Sequence, residues 1–231
     1  MLPDVKAFGS VRAVLLDLDG TLLDTAPEIA AAAADMLGEL GLEPVAPGQV
    51  RAFIGKGIPH LVWRTLEASL GSRPDERRAG EGIESFFFHY EKRNGRTATV
   101  YPGVREGLTT LHASGFLLAC VTNKAARFTE PLLRSTGLAA FFSAIVSGDS
   151  VARKKPAPDP LLAACERLGV GPGETLMIGD SANDALAARA AGCAVLLVPY
   201  GYSEAVNVQC IDCDGIVPSL LHLAGFLTTQ S

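Results

Sequence analysis

The chain has 231 residues and a formal net charge of −5, and 48% of its residues are hydrophobic while 6% are aromatic, as in an α/β protein rich in small aliphatic residues. The acidic balance and the lack of a long basic run exclude nucleic acid and anionic membrane surfaces as expected partners. The first ten residues do not resemble a signal peptide, and no apolar stretch approaches the ~20 residues that cross a bilayer. We therefore expect a cytoplasmic protein.

The first part of the chain predicts one strand and then a long helical block. Residues 12–16 are predicted to form a buried strand, because the apolar run Val14-Leu15-Leu16 is too short for a helix. Helices are predicted over residues 26–40, 58–70 and 75–93, with no convincing strand between Thr25 and Thr99. Because this block is too long for one crossover, we expect an inserted all-helical cap over residues 24–99.

Strands and helices alternate through the rest of the chain. Strands are predicted over residues 116–121, 144–147, 175–178 and 194–198, with a last short one near 215–217. Helices are predicted over residues 104–114, 125–136, 160–168 and 182–191, with one more at the end. This alternation indicates an α/β fold, a Rossmann-like parallel sheet with helices on both faces, whose core comprises residues 1–23 and 100–231.

Polar residues follow four of the predicted strands, at the point where each strand ends. These residues are Asp17 and Asp19, then Thr122 and Asn123, then Ser147, Asp149, Lys154 and Lys155, and finally Asp180 with Asp184 one helical turn later. The carboxyl ends of parallel strands meet at one edge of a sheet, which is where ligands bind in open α/β folds. We therefore expect several carboxylates, a hydroxyl and an ammonium group in one crevice.

Each of these polar pairs also has a purely local interpretation. The Asp17 and Asp19 pair is compatible with an Asx-type turn, and Thr122 is compatible with a helix N-cap. Ser181 and Asp184 have the spacing of a capping box, and Lys154 and Lys155 are compatible with solvated charges in a loop. The local interpretations do not explain why all the polar pairs fall on the same side of the predicted sheet.

A cluster of carboxylates predicts a bound cation, because the carboxylates repel one another unless a positive charge lies among them. Mg²⁺ suits a site that has few carboxylates and leaves room for water and phosphate. A lysine and Mg²⁺ together indicate a phosphate group as the substrate, and a carboxylate can attack phosphorus to form an aspartyl-phosphate.

At this point the motifs resemble those of the haloacid-dehalogenase superfamily of phosphatases. Four of them occur in order: Asp17-Leu18-Asp19-Gly20-Thr21, Thr122-Asn123, Lys155-Pro156 and Gly179-Asp180-Ser181-Ala182-Asn183-Asp184. The resemblance covers nearly the whole chain and includes a helical cap after the first strand. It is strongest to bacterial members that hydrolyse 2-phosphoglycolate, through the stretches DLDGTLLDT, TNK and PDPLL. It implies a Mg²⁺-dependent phosphatase whose partner is a small phosphorylated metabolite.

The resemblance also implies a role for each motif carboxylate. Asp17 is the nucleophile and a Mg²⁺ ligand. Asp19 protonates the leaving oxygen, then activates water, and offers its backbone carbonyl to the metal. Asp180 is a further metal ligand, and Asp184 belongs to the metal site by orienting its ligands.

The remaining implied roles concern the substrate. Thr122 binds the phosphoryl group together with the region of Asn123, and Lys155 offsets the negative charge of Asp17 and the phosphate. Lys155 is preferred to its neighbour Lys154 because the family's lysine directly precedes a proline.

Substrate choice is expected to come from the cap, where the turn at residues 55–57 can bring Lys56 over the site. A lysine there could pair with the carboxylate of 2-phosphoglycolate, and its alternative interpretation is an ordinary surface lysine. Other functions left open are hydrolysis of a sugar phosphate, a β-phosphoglucomutase-like mutase and a catalytically silent binding module. Dehalogenation is disfavoured because Asp19 stands where dehalogenases lack the second aspartate. Both a monomer and a homodimer are compatible with the sequence.

Overall fold

A six-stranded parallel sheet forms the centre of the protein, whose structure is a computed structural model. The structure describes residue 8, residues 10–202 and residues 207–229. The first seven residues and the last two, which belong to the predicted core, lie outside the described residues. In chain order the strands are β1 (Ala13–Leu16), β2 (Leu23–Asp24), β3 (Thr99–Val100), β4 (Leu117–Val121), β5 (Ala144–Val146), β6 (Thr175–Gly179), β7 (Ala194–Leu197) and β8 (Gly215–Ile216).

The order of the strands in the large sheet is β5-β4-β1-β6-β7-β8, and every neighbouring pair is parallel. Strand β1 lies between β4 and β6, with Leu15 opposite Ala119 on one side and Met177 on the other. The carboxyl ends of these three strands therefore lie side by side, as the sequence predicts, and the residues that follow them can meet.

Helices connect the strands and cover both faces of the sheet. They are α1 (Ala26–Glu39), α2 (Pro47–Arg51), α3 (Ile58–Leu70), α4 (Glu76–Arg93), α5 (Val104–Ala113), α6 (Ala126–Ser135), α7 (Asp159–Leu168), α8 (Ala182–Ala191) and α9 (Leu220–Thr228). Successive residues of β1 point to opposite faces. Val14 packs in one buried cluster with residues of α5 and α9, and Leu15 packs in another with residues of α7 and α8. This arrangement confirms the predicted α/β fold.

Helices α1–α4 surround a hydrophobic cluster of their own. Met36 of α1, Leu66 of α3 and Phe86 of α4 are fully buried together there. We call helices α1–α4 the cap and the six-stranded sheet with its helices the core. The domain boundaries at residues 24 and 99 stay a prediction.

The two connections between cap and core pair with each other, which the sequence does not predict. β2 and β3 form an antiparallel ribbon in which Leu23 lies opposite Val100 and Asp24 lies opposite Thr99. Strands of two residues are too short to show a periodic pattern. Within the described residues, no helix is long and apolar enough to cross a membrane.

Candidate active site

Three aspartates meet at the carboxyl ends of β1 and β6. Asp17 directly follows β1, Asp180 directly follows β6, and Asp184 lies in the first turn of α8. One carboxylate oxygen of each lies within 4.8 Å of the others, and all three side chains are buried. Buried carboxylates this close need a positive charge between them, so this group is suited to holding a divalent metal ion.

Glycines at the contact points leave space for these carboxylates. A Cβ atom at Gly179 would overlap the Asp184 side chain, and a Cβ atom at Gly201 would overlap Asp180. Gly20 packs against Asp180 in the same way, and its φ of 88° lies in the left-handed region that favours glycine. The backbone therefore approaches the acidic group closely and restricts where its oxygens can lie.

Lys155 supplies a positive charge inside this acidic group. Its Nζ lies 2.9 Å from Asp17 Oδ1 and 2.6 Å from Asp184 Oδ1, and it donates a hydrogen bond to the Val121 carbonyl at 2.8 Å. Burial by itself lowers the pKa of a lysine, but the two carboxylates outweigh burial and raise the pKa of Lys155. The lysine is therefore a permanent cation beside Asp17.

Burial in this site works against the ionised form of Asp17. Burial raises the pKa of Asp17 to about 7, the ion pair with Lys155 opposes that rise, and the charge of Asp184 adds to it. Asp17 is a carboxylate nucleophile only when it is ionised. Additional positive charge in the site would hold it in that form.

Asp184 forms the predicted capping box and also an ion pair with Lys155, while its role at a metal ion stays a prediction. Its Oδ2 accepts hydrogen bonds from Ser181 N at 3.1 Å and Ser181 Oγ at 2.8 Å, as in the predicted capping box. Its Oδ1 instead faces Lys155. Asp180 is also fixed in place, because its Oδ1 accepts a hydrogen bond from Thr21 Oγ1 at 3.2 Å and its Oδ2 accepts one from Tyr202 N at 2.6 Å.

Asp19 lies apart from the three buried aspartates and is held by other residues. Its Oδ1 accepts a hydrogen bond from Thr25 Oγ1 at 2.7 Å. Lys124 Nζ lies 3.1 Å from both of its carboxylate oxygens. The same Nζ lies 2.6 Å from the hydroxyl of Tyr90, which belongs to α4. Two connections, through Thr25 and through Lys124, thus join Asp19 to the cap.

Thr122 and Asn123 follow β4 and lie beside Asp17, as the strand order requires. Thr122 Oγ1 accepts a hydrogen bond from Lys124 N at 3.2 Å. The Asn123 amide donates to the carbonyls of Gly55 and Lys155 and accepts from Lys155 N, at 2.8, 2.9 and 2.9 Å. The Asn123 side chain therefore joins the cap turn to the loop that carries Lys155.

A pocket lies between cap and core, with Asp17 and Asp19 among its lining residues. The core contributes polar residues to its lining, which are Asp17, Asp19, Thr122, Asn123 and Lys124. The cap contributes a mostly apolar lining, which consists of Ile29, Ile54, Gly55, Gly57, Ile58, Leu61, Phe86 and Tyr90. The pocket thus has one reactive side and one side that can exclude water.

Lys56 lies in the cap turn but outside this lining. Gly55 and Gly57 on either side of it line the pocket, whereas Lys56 is exposed. Its contact with a substrate stays a prediction.

Sequence reasoning did not single out Lys124, Tyr90 or Thr25 as site residues. Lys124 directly follows the Thr122-Asn123 motif, and this adjacency is a sequence signal that Lys124 belongs to the site. Tyr90 gave no such indication, because it reaches the site only through the packing of α4 against the core.

The parallel sheet, the helical cap and the acidic cluster after β1 and β6 define a hydrolase of the haloacid-dehalogenase type. The family model described as "Haloacid dehalogenase-like hydrolase" matches residues 14–198. The chain belongs to this family, which confirms the resemblance seen in its motifs.

Relatives with curated names narrow the class further. A phosphoglycolate phosphatase of Nitrosospira multiformis is 52% identical over 96% of this chain and 97% of its own length. One of Thiobacillus denitrificans is 46% identical over 94% and 96%. A solved structure from Haemophilus somnus 129PT, described as a predicted phosphoglycolate phosphatase, is 30% identical, covers 94% of this chain and 97% of that one, and has a TM-score of 0.89. The protein is accordingly a phosphatase, as the sequence predicts.

Proposed function

We propose that the protein is a Mg²⁺-dependent hydrolase that converts 2-phosphoglycolate to glycolate and phosphate through an aspartyl-phosphate. The observation that carries this proposal is the ion pair of Asp17 with Lys155, with Asp19 lining the same pocket. The curated relatives named phosphoglycolate phosphatase support the choice of substrate.

Asp17 and Asp180 would hold the metal ion, with the Asp19 backbone carbonyl as a further ligand and Asp184 orienting the group. The close approach of the three buried carboxylates supports this assignment, because they offer the hard oxygen ligands that Mg²⁺ prefers. When bound, Mg²⁺ supplies positive charge that offsets the repulsion between Asp17 and the phosphate and favours the ionised form of Asp17.

In the first step, a carboxylate oxygen of Asp17 forms a bond to phosphorus while the bond from phosphorus to the ester oxygen breaks. Asp19 donates its proton to the departing alkoxide, which leaves as glycolate. The charge of Lys155 and the hydroxyl of Thr122 stabilise the phosphoryl oxygens during this transfer. The products of the step are the aspartyl-phosphate and an ionised Asp19.

In the second step, Asp19 takes a proton from water, and the water oxygen attacks phosphorus. The bond between phosphorus and the Asp17 oxygen breaks, which releases phosphate and restores both aspartates to their starting forms. Residues 24–99 are proposed to form a cap that closes over the active site during the first step and opens between turnovers.

The apolar cap side of the pocket favours a small substrate over a sugar phosphate. Ile29, Leu61 and Phe86 offer no hydrogen-bond partner to a ring of hydroxyl groups, and burying unpaired hydroxyls is costly. Lys56 is the cation proposed to meet the carboxylate of 2-phosphoglycolate from the cap turn. A cytoplasmic location, and a monomeric or homodimeric state, belong to the same proposal.

The test is phosphate release from 2-phosphoglycolate with Mg²⁺ and with a chelator, for the wild-type protein and for Asp17→Asn. We expect release only from the wild type with Mg²⁺. Asp212→Asn, which changes an exposed aspartate, is the matched control and should keep full activity. Rapid quenching followed by mass spectrometry should find phosphate on the peptide that contains Asp17.

A panel of phosphomonoesters separates this proposal from the alternatives. Turnover of sugar phosphates while 2-phosphoglycolate stays intact would overturn the substrate assignment. Transfer of phosphate to a second sugar hydroxyl rather than to water would indicate a mutase. Lack of hydrolysis across the whole panel would overturn the hydrolase proposal.

A further inference from the structure

Lys124 is a buried cation whose hydrogen-bonding capacity is fully used by protein groups. Its side chain is only 4% exposed, although lysine is seldom buried without a partner. An ammonium group has three N–H donors. The two oxygens of Asp19 and the hydroxyl of Tyr90 provide three acceptors, at 3.1, 3.1 and 2.6 Å. Lys124 therefore acts here on Asp19 and leaves no donor for a substrate.

Tyr90 connects this lysine to the cap. Its hydroxyl accepts from Lys124 and donates to Glu28 Oε1 at 3.4 Å. Its ring is stacked on Phe86 of α4 at 5.5 Å and packs against Phe128 of the core helix α6 at 4.9 Å, so the hydroxyl is held where cap and core meet. The position of Lys124 Nζ thus depends on the position of the cap.

Glu28 extends the connection to the segment through which the chain returns to the core. The carboxylate of Glu28 accepts hydrogen bonds from Gly95 N at 3.0 and 3.1 Å and from Thr97 N at 3.4 Å. These residues lie between α4 and β3, at the cap-to-core connection. A continuous series of polar contacts therefore runs from this connection through Glu28, Tyr90 and Lys124 to Asp19.

We propose that Lys124 is a positioning residue for Asp19 and that Tyr90 makes this positioning depend on cap closure. The proposal rests on the proposed function, in which Asp19 is the acid and base. With the cap in place, Tyr90 holds the Lys124 ammonium against Asp19, which directs the carboxyl group toward the leaving oxygen. When the cap moves away, Lys124 loses one of its three acceptors, and its ammonium group holds Asp19 less firmly.

The experiment compares the variants Lys124→Met and Tyr90→Phe by kcat/KM on three phosphomonoesters. 2-Phosphoglycolate and ethyl phosphate release an alkoxide that needs a proton, whereas 4-nitrophenyl phosphate releases a stable phenolate. General acid catalysis contributes ~10²–10⁴-fold. Lys124→Met should therefore lower kcat/KM by about 100-fold on both alkyl esters and far less on the aryl ester.

Ethyl phosphate separates positioning from substrate binding, because it has no carboxylate. If Lys124→Met impairs only 2-phosphoglycolate, Lys124 binds the substrate carboxylate and the proposal is wrong. Equal losses on the alkyl and aryl esters would indicate general damage to the site and would also overturn it. Lys92→Met is the matched control, because Lys92 is an exposed lysine on the same helix as Tyr90.

Tyr90→Phe tests the dependence on the cap while keeping the stacked ring. It should reduce kcat/KM on the alkyl esters by less than Lys124→Met does, and it should add nothing in the double variant, because both changes interrupt one series of contacts. Additive losses would contradict the coupling.

Amide hydrogen exchange gives a readout that does not depend on turnover. Tyr90→Phe and Lys124→Met should both speed exchange over residues 95–97, and Lys92→Met should not. Unchanged exchange in both variants would overturn the cap coupling even if the enzyme is fully active. An inactive wild type whose exchange responds as expected would instead overturn the proposed function and leave the cap-to-core connection standing.

Discussion

The hydroxyl oxygen of Tyr202 lies 2.7 Å from the backbone nitrogen of Thr25, where the chain enters the first cap helix. It also accepts a hydrogen bond from Ala26 N at 2.9 Å and donates one to Asp24 Oδ1 at 3.0 Å. Thr25 is the N-cap residue of α1, but its own hydroxyl donates to Asp19 and does not cap the helix. A tyrosine of the core therefore accepts hydrogen bonds from the N–H groups at the start of α1, which leaves the Thr25 hydroxyl available to bind Asp19, the acid of the proposed mechanism.

Tyr202→Phe should destabilise the fold, because the Thr25 N–H loses this acceptor, whereas the Ala26 N–H keeps the Asp24 carboxylate at 3.3 Å. Burying donors without a partner costs about 1–3 kcal/mol, and urea unfolding measures this loss. Tyr200→Phe is the control, because the Tyr200 hydroxyl makes one bond, to the Thr21 carbonyl, and its removal should cost less. A loss as large in Tyr200→Phe as in Tyr202→Phe would contradict this assignment.

Lys155→Met should destabilise the protein as well as inactivate it. The change leaves Asp17 and Asp184 buried without their shared cation, and loss of one member of such a group costs about 3–5 kcal/mol. Adding Mg²⁺ should recover part of this stability, because a bound cation replaces some of the missing charge. Urea unfolding with Mg²⁺ and with a chelator measures both effects. If Lys155→Met and the wild type are equally stable in the chelator, the charge of Lys155 does not stabilise the buried carboxylates of Asp17 and Asp184.

The sheet and the longer helices are predictable from the sequence because each has a clear local pattern. The predicted helices over residues 58–70 and 182–191 agree with the structure at both ends, and the strand predicted over 175–178 is one residue longer. Because the predicted strands are parallel, their carboxyl ends meet at one edge of the sheet, and this alone places Asp17 near Asp180. Local patterns thus account for the aspartates of the site.

Contacts made by single side chains across the fold are not predictable in this way. Tyr90 and Glu28 each lie in a helix where nothing local distinguishes them, and they become important through packing over 34 or more residues. Tyr202 lies 177 residues from Thr25 in the chain. The contacts of Tyr90, Glu28 and Tyr202 between cap and core therefore become visible only in the structure.

Gly201→Ala should weaken Mg²⁺ binding and also destabilise the fold, because the added Cβ would overlap the Cβ of Asp180 as well as its carboxylate. A Cβ at this position would overlap the Asp180 side chain, whose carboxylate is already fixed by Thr21 and Tyr202. Disturbing the residues that orient a metal ligand typically costs ~10–100-fold in affinity. Titrating activity against Mg²⁺ concentration measures this change.

Gly38→Ala provides the comparison for that variant. Apart from neighbouring residues of α1 itself, no atom of the described part of the chain lies within 4 Å of an added Cβ at Gly38. It should leave the Mg²⁺ dependence unchanged and stabilise the fold by about 0.5–1 kcal/mol. If both glycine variants shift the Mg²⁺ dependence equally, the close approach of Gly201 to Asp180 does not set the affinity.

The buried carboxyl group of Glu28 should make the stability of the fold depend on pH. Burial raises the pKa of Glu28 above its ordinary value of 4.5, against the opposing hydrogen bond from Gly95 and the charge of Lys124. The folded state therefore binds this proton more readily than the unfolded state does. It follows that the contribution of Glu28 to the free energy of unfolding falls as pH rises from about 4.5 through the raised pKa.

Glu28→Gln should remove this dependence, since glutamine does not titrate. The free energy of unfolding of the wild type, relative to the variant, should be highest near pH 4 and should fall toward neutral pH. Urea unfolding from pH 4 to pH 8 measures the difference, and Glu106→Gln, which changes an exposed glutamate, corrects for the loss of a surface charge. A difference that rises with pH would show that the hydrogen bonds from Gly95 and Thr97 outweigh burial, and that the ionised carboxylate is the form that joins the cap to the core.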